Sequence, residues 1–70
     1  MQDNLEFLIK LGQRVKTLRE ERGISQVLLC EMAAISRSQL TRLEKGDLNI
    51  TMNTLVSLAN AFEIDPKELL

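Results

Sequence analysis

Seventy residues make one small domain, and a net charge of −1 argues against a generic, strongly basic nucleic-acid binder. A single cysteine, Cys30, and no histidine exclude an intramolecular disulfide and a catalytic Cys–His pair, and leave thiolate or imidazole metal sites without ligands. The only aromatic residues are Phe7 and Phe62, which points away from sheets and towards an all-α core built on leucine.

Residues 5–22 read as the first helix, capped by Asp3 or Asn4. Phe7, Leu8, Leu11, Val15 and Leu18 share one stripe at helical spacing and are the expected core face. Leu5 and Ile9 fall off that stripe as a second, small apolar patch. Gly12 interrupts the helix at a cost of about 1 kcal/mol relative to alanine, which a close helix approach would explain. Gly23 ends the helix.

Residues 25–46 organise the chain. Two short apolar-periodic runs begin just after Ser25 and Ser36, and a serine oxygen satisfies orphan N–H groups of a helix's first turn. The break between them, Ala34-Ile35, has room only for a tight turn, so the pair reads as a helix-turn-helix. The second helix spans residues 26–33, with Leu29, Cys30 and either Met32 or Ala33 inward. Cys30 reads as a small buried apolar residue. The third helix spans residues 37–45, with Leu40 and Leu43 inward and Gly46 as its left-handed stop. Arg37, Ser38, Gln39, Thr41, Arg42 and Lys45 are left for the solvent side.

Thr51 caps a fourth helix over residues 52–62, in which Leu55, Leu58, Ala59 and Phe62 follow i, i+3, i+4, i+7. Asp65-Pro66-Lys67-Glu68 is a strong start signal for a short fifth helix carrying Leu69 and Leu70. The expected fold is a compact, all-α, five-helix domain. Ile50, Met52 and Val56 remain once the core face of the fourth helix is assigned, and with the apolar tail of Ile64, Leu69 and Leu70 they are the expected homodimer interface.

Charge is uneven. Lys10, Arg14, Lys16 and Arg19 follow one another with no acid between, and Arg37, Arg42 and Lys45 cluster in the third helix, so one face can be basic on an acidic protein. No run approaches a transmembrane length and no N-terminal stretch has signal-peptide character, so a cytoplasmic protein without membrane association is expected.

The stretches LGQRVKTLREERGISQ, LLCEMAAISRSQLTRLEKG and TLVSLANAFEIDPKELL resemble the lambda-repressor/Cro-like (XRE-type) helix-turn-helix family over nearly the whole chain. The small size is similar to that of restriction–modification controller proteins and compact phage repressors. The resemblance implies that Gln26 hydrogen-bonds a phosphate and braces the reading helix. It implies base reading by Arg37, Ser38, Thr41 and Arg42, and backbone contacts by Gln39, Lys45 and Asn49. It makes Arg19 and Glu44 a structural ion pair, and puts Val27 and Glu31 where related activators meet RNA polymerase. The sequence departs from the family in having Ala34 where a left-handed glycine is common, and Cys30 where alanine is usual.

Elementary chemistry agrees. A major groove admits one α-helix, arginine grips guanine O6 and N7 in a bidentate contact, and helix-turn-helix proteins insert the N-terminal end of the second helix. The expected function is a sequence-specific DNA-binding transcriptional regulator, a dimer on a palindromic operator. The competing reading is a protein–protein module, an antitoxin or adaptor, on the same fold. Enzymatic activity, a cofactor or a small-molecule ligand has no supporting constellation.

Overall fold

The computed structural model describes residues 4–70, so Asp3 lies outside the described residues. Helix α1 (Asn4–Glu21) begins with Asn4 inside its first turn. It closes on Gly23 at φ 65°, with Ile24 N–H bonded back to the Arg19 carbonyl at 3.0 Å and Gly23 N–H to that of Glu20 at 3.1 Å. Helix α2 (Gln26–Ala33) starts where the Ser25 hydroxyl accepts from Leu28 N–H at 3.0 Å. It stops at Ala34, which holds the left-handed conformation at φ 57°, ψ 46°. Helix α3 (Arg37–Glu44) follows at once, capped by Ser36 and ended past Lys45 by Gly46 at φ 76°.

Helix α4 (Met52–Phe62) is capped by Thr51, whose hydroxyl accepts from Thr54 N–H at 3.1 Å. It ends at Phe62, as its spacing predicts, but the stop is not a glycine: Glu63 takes the left-handed position at φ 57°. Pro66 disfavours helical backbone at the residue before it, so the helix must finish earlier, and Glu63 is the residue that absorbs the turn.

The expected fifth α-helix is a single 3-10 turn, Pro66–Leu69, so the described residues form four α-helices and one 3-10 helix. Its bonds run i to i+3, from Glu68 N–H to the Asp65 carbonyl at 2.9 Å and from Leu70 N–H to the Lys67 carbonyl at 3.1 Å. Asp65 and Glu68 close a reciprocal capping box over it. This tight turn rotates Leu69 into the core, at 3% exposure, which removes Leu69 from any interface between copies.

The core gathers Val15, Leu29, Leu40, Leu43, Leu58 and Phe62, all fully buried, with Leu11, Cys30, Ala33, Leu55, Ala59 and Leu69 around them. Ile50 and Ile64, also expected at an interface, pack partly buried against this core. One expectation for an inward residue changes and one open alternative is resolved. Phe7 is exposed, because burial on α1 begins one turn later at Leu11. Of Met32 and Ala33, Ala33 is inside and Met32 is out.

Gly12 has the close approach it needed. A Cβ built there would lie 2.2 Å from the Leu43 carbonyl oxygen and 3.0 Å from that of Glu44. Helix α1 therefore crosses the C-terminal turn of α3 backbone to backbone. Gly46 makes the matching contact from the other side, with its absent Cβ 2.7 Å from Ile9 Cα. That contact accounts for Ile9 lying off the core stripe.

Candidate nucleic-acid interface

Helix α3 owes its position to neighbours on both flanks. The α2–α3 turn is set by Ala34, whose left-handed backbone lets Ile35 N–H reach the Cys30 carbonyl at 3.1 Å. At the start of α3 the Ser36 hydroxyl accepts from Gln39 N–H at 3.0 Å, and the Gln39 side-chain oxygen accepts from Ser36 N–H at 2.9 Å. This Ser-x-x-Gln capping box is legible in the sequence as a spacing, though sequence reasoning took only the serine from it. It commits the carbonyl end of Gln39 and leaves the NH2 end as its donor.

Leu40 and Leu43 turn the inner side of α3 into the core. On the outer side Arg37, Ser38 and Lys45 are exposed and Thr41 is half-buried. At 100° per residue these four fall within an arc of about 100°. Arg42 lies just beyond that arc and is engaged elsewhere: Nη2 donates to the Asp47 carbonyl at 2.9 Å, and Nε stands 3.8 Å from the Asp47 carboxylate. It ties the C-terminal end of α3 to the loop that carries Asn49, itself exposed.

A polar chain links the last turn of α3 to its first. Arg19 Nε donates to Glu44 Oε2 at 2.8 Å and Nη2 to Oε1 at 3.3 Å, a two-point contact between side chains only 13% and 6% exposed. Arg19 Nη1 also donates to the Ile24 carbonyl at 3.1 Å. The hydrogen bond that Arg19 donates to Glu44 is the main reason that its guanidinium is held above its usual pKa, against the opposing effect of burial. Gln26 Nε2 donates to Glu44 Oε1 at 3.1 Å, and Gln26 Oε1 accepts from Arg37 Nη2 at 3.3 Å. These last two links, between side chains distant in sequence, had no signal in spacing. Cys30 lies buried in α2, and loss of solvation pushes its thiol pKa up despite the nearby Arg37 charge.

The basic run of α1 is largely spent on the fold. Arg14 Nε donates to the Glu68 carbonyl at 3.1 Å, pinning the 3-10 turn to α1. Lys10 pairs with Glu6 one turn away at 3.5 Å. Arg22 was not foreseen at all: it donates to the Phe62 carbonyl at the end of α4 and lies over the Phe62 ring at 5.7 Å. Among the described residues no group of His, Cys, Asp and Glu is placed to hold a metal ion, and no helix is long and apolar enough to cross a membrane.

Away from the polar chain, Met52, Val56 and Leu70 are exposed apolar residues. Met52 and Leu70 join Phe7, Leu11, Ile50 and Leu55 around an open groove of 140 Å³. On α2, Val27, Leu28 and Met32 are exposed beside Glu31.

Two short capped helices, joined through a left-handed residue and seated so that the second shows one polar face, define a helix-turn-helix protein. Residues 15–69 match the Helix-turn-helix family, and the chain belongs to it. It is 43% identical over 54 residues to the immunity repressor protein of Bacillus phage phi105, a match covering 77% of this chain and 38% of the repressor. It is 39% identical over 62 residues to the HTH-type transcriptional regulator DdrOP3 of Deinococcus deserti, covering 89% of this chain and 48% of that regulator. Its fold is similar to the crystal structure of the restriction-modification controller protein C.AhdI from Aeromonas hydrophila, with a TM-score of 0.87, 36% identity and coverage of 90% of this chain and 96% of that one. The chain thus spans less than half the length of the two sequence relatives and nearly all of the controller protein.

Proposed function

We propose that this protein is a sequence-specific DNA-binding transcriptional regulator that reads the major groove with α3. The observation that carries the reading is the N-terminal end of α3, where Arg37 and Ser38 are exposed and share an arc with Thr41 and Lys45. The regulators and repressor among its relatives support the same function. Arg37, with Ser38 and Thr41, reads base edges. Gln26, Gln39, Lys45 and Asn49 fix register on the phosphates, which carry position rather than sequence. Arg42 reaches a base only after leaving Asp47, so its share of base reading is the smallest of the four.

The working unit is a homodimer on a palindromic operator, because one such module gives little affinity and half-sites about one DNA turn apart match a two-fold protein. Met52, Val56 and Leu70, with the rim of Ile50 and Ile64, form the interface. Sedimentation showing only monomer at tens of micromolar, with and without DNA, refutes that assembly.

Selection of bound sites from random duplex DNA tests the reading as a whole, and no enrichment rejects it. On the selected duplex, Arg37→Ala costs roughly 1–3 kcal/mol and relaxes the preference at one base pair, a G·C pair. Equal loss on every single-base variant makes Arg37 a phosphate clamp instead. Lys45→Ala lowers the salt slope by about one unit per subunit.

The exposed apolar residues around Glu31 favour a second role, contact with RNA polymerase through Val27 and Glu31. Glu31→Lys then leaves DNA affinity near wild type and lowers transcription from a promoter that the protein activates. A co-purifying protein partner together with no affinity for duplex DNA points to the antitoxin or adaptor reading.

A further inference from the structure

The links Arg19–Glu44–Gln26–Arg37 leave the Gln26 amide a single orientation. A carboxylate only accepts hydrogen bonds and a guanidinium only donates them. Glu44 Oε1 therefore takes the NH2 end of Gln26, at 3.1 Å, and the oxygen end is left to accept from Arg37 Nη2, at 3.3 Å. Turned end for end, the amide would set oxygen against carboxylate and NH2 against guanidinium. Glu44 sits in the last turn of α3, and Arg37 in its first. The carboxylate at one end of the helix thus decides what the arginine at the other end finds beside it.

We infer that Glu44 is a positioning residue for sequence reading: by holding the NH2 of Gln26 it presents the amide oxygen that aims the Arg37 guanidinium. The inference rests on the base-reading role of Arg37 and deepens it. Arg37 is long and exposed, and a free guanidinium must be ordered when it grips a base. One Nη2–H held on Gln26 sets the plane of the fork and leaves its other N–H donors for the bidentate contact. The pairing of Glu44 with Arg19 has another consequence, holding α3 to α1, but that role is blind to which base is bound. Likewise, Gln26 acting on phosphate alone would be felt equally by every DNA sequence.

The test uses the duplex that the wild-type protein selects from random DNA, with its single-base-pair variants, in a buffer where each protein variant is shown folded by circular dichroism. Glu44→Gln keeps the volume and an acceptor for Arg19, but offers Gln26 an amide that accepts or donates, so the orientation is no longer imposed. Gln26→Met removes both links and leaves the Arg19–Glu44 pair in place. Each variant is expected to cut discrimination at the base pair read by Arg37 about fivefold, roughly the worth of one net hydrogen bond, with discrimination elsewhere unchanged. In an Arg37→Ala background neither is expected to reduce it further.

Equal weakening on all duplexes by both variants overturns the positioning role while leaving Arg37 as the reader. If Arg37→Ala itself changes preference at no base pair, the reading role falls and the positioning role with it. Unchanged discrimination in folded Glu44→Gln overturns the inference, and should that variant fail to fold, unchanged discrimination in Gln26→Met overturns it.

Discussion

The two seams that hold the helix-turn-helix in place are built on different principles. Between α2 and α4 the contact is made by side chains, with Leu29, Cys30 and Ala33 from one helix and Leu55, Leu58 and Ala59 from the other, all buried. Between α1 and α3 the closest approach is made by backbone. Gly12 stands against the Leu43 carbonyl, Gly46 stands against Ile9, and the Arg19–Glu44 pair closes the same seam. A side-chain seam can exchange shapes at constant volume, whereas a backbone seam has no atom that can give way. The rigid seam is the one that sets the depth and angle of α3, the helix proposed to enter the groove.

Breaking the rigid seam has the largest expected effects. Arg19→Met leaves the Glu44 carboxylate nearly buried without its partner, and unfolding measurements are expected to show a loss of about 3 kcal/mol. Gly12→Ala adds one methyl group where the nearest atom is a carbonyl oxygen 2.2 Å away. Its cost is expected at the upper end of the roughly 1–3 kcal/mol typical of overpacking, and it should weaken DNA binding at temperatures where the fold survives. A loss below about 0.5 kcal/mol, the size of an ordinary surface change, contradicts the backbone crossing.

The compliant seam sharpens the contrast. Leu58→Met, at a fully buried position of α4, keeps volume and is expected to cost less than about 1.5 kcal/mol. If it proves more costly than Gly12→Ala, the distinction between the seams is wrong. Gly23→Ala separates conformational strain from crowding. Gly23 has φ 65° and no atom within 4 Å of an added Cβ, so only the left-handed penalty of about 1–2 kcal/mol remains.

The smallest effect concerns pH. Burial raises the Cys30 thiol pKa in the folded state. Above the ordinary cysteine range of about 8.5 the unfolded chain loses this proton first, so it binds fewer protons than the native state. The Cys30 contribution is therefore fully present below that range and is lost as pH rises towards the folded-state pKa. Cys30→Ala should flatten the alkaline limb of the stability curve, and native Cys30 should react with thiol reagents only as fast as the fold opens.

Much of this molecule is legible along the chain because its signals are local. Ser25, Ser36, Thr51 and Asp65 announce helix starts by hydrogen bonds that span only two or three residues. Gly23 and Gly46 mark left-handed stops, and periodicity finds Leu40, Leu43, Leu55, Leu58 and Phe62 in the core. Where the local signal was weak, the reading slipped. Phe7 shares the stripe of Leu11 and Val15, but a stripe does not say where the neighbouring helices stop covering it. Leu69 looks like a surface tail until the 3-10 turn rotates it inward.

What only the tertiary structure decides is the partner of each long polar side chain and the purpose of each glycine. Arg14, Arg22 and Arg42 are the same residue type, yet each closes on a different backbone carbonyl, those of Glu68, Phe62 and Asp47. The resemblance makes Gln26 a phosphate ligand but says nothing of its place between Glu44 and Arg37. Caps and periodicity follow from bonds and rotations within one helix, so the order of residues determines them. The distance from Gly12 to the Leu43 carbonyl and the direction of the Gln26 amide depend on how separate helices pack, and that is settled only when the whole core has closed.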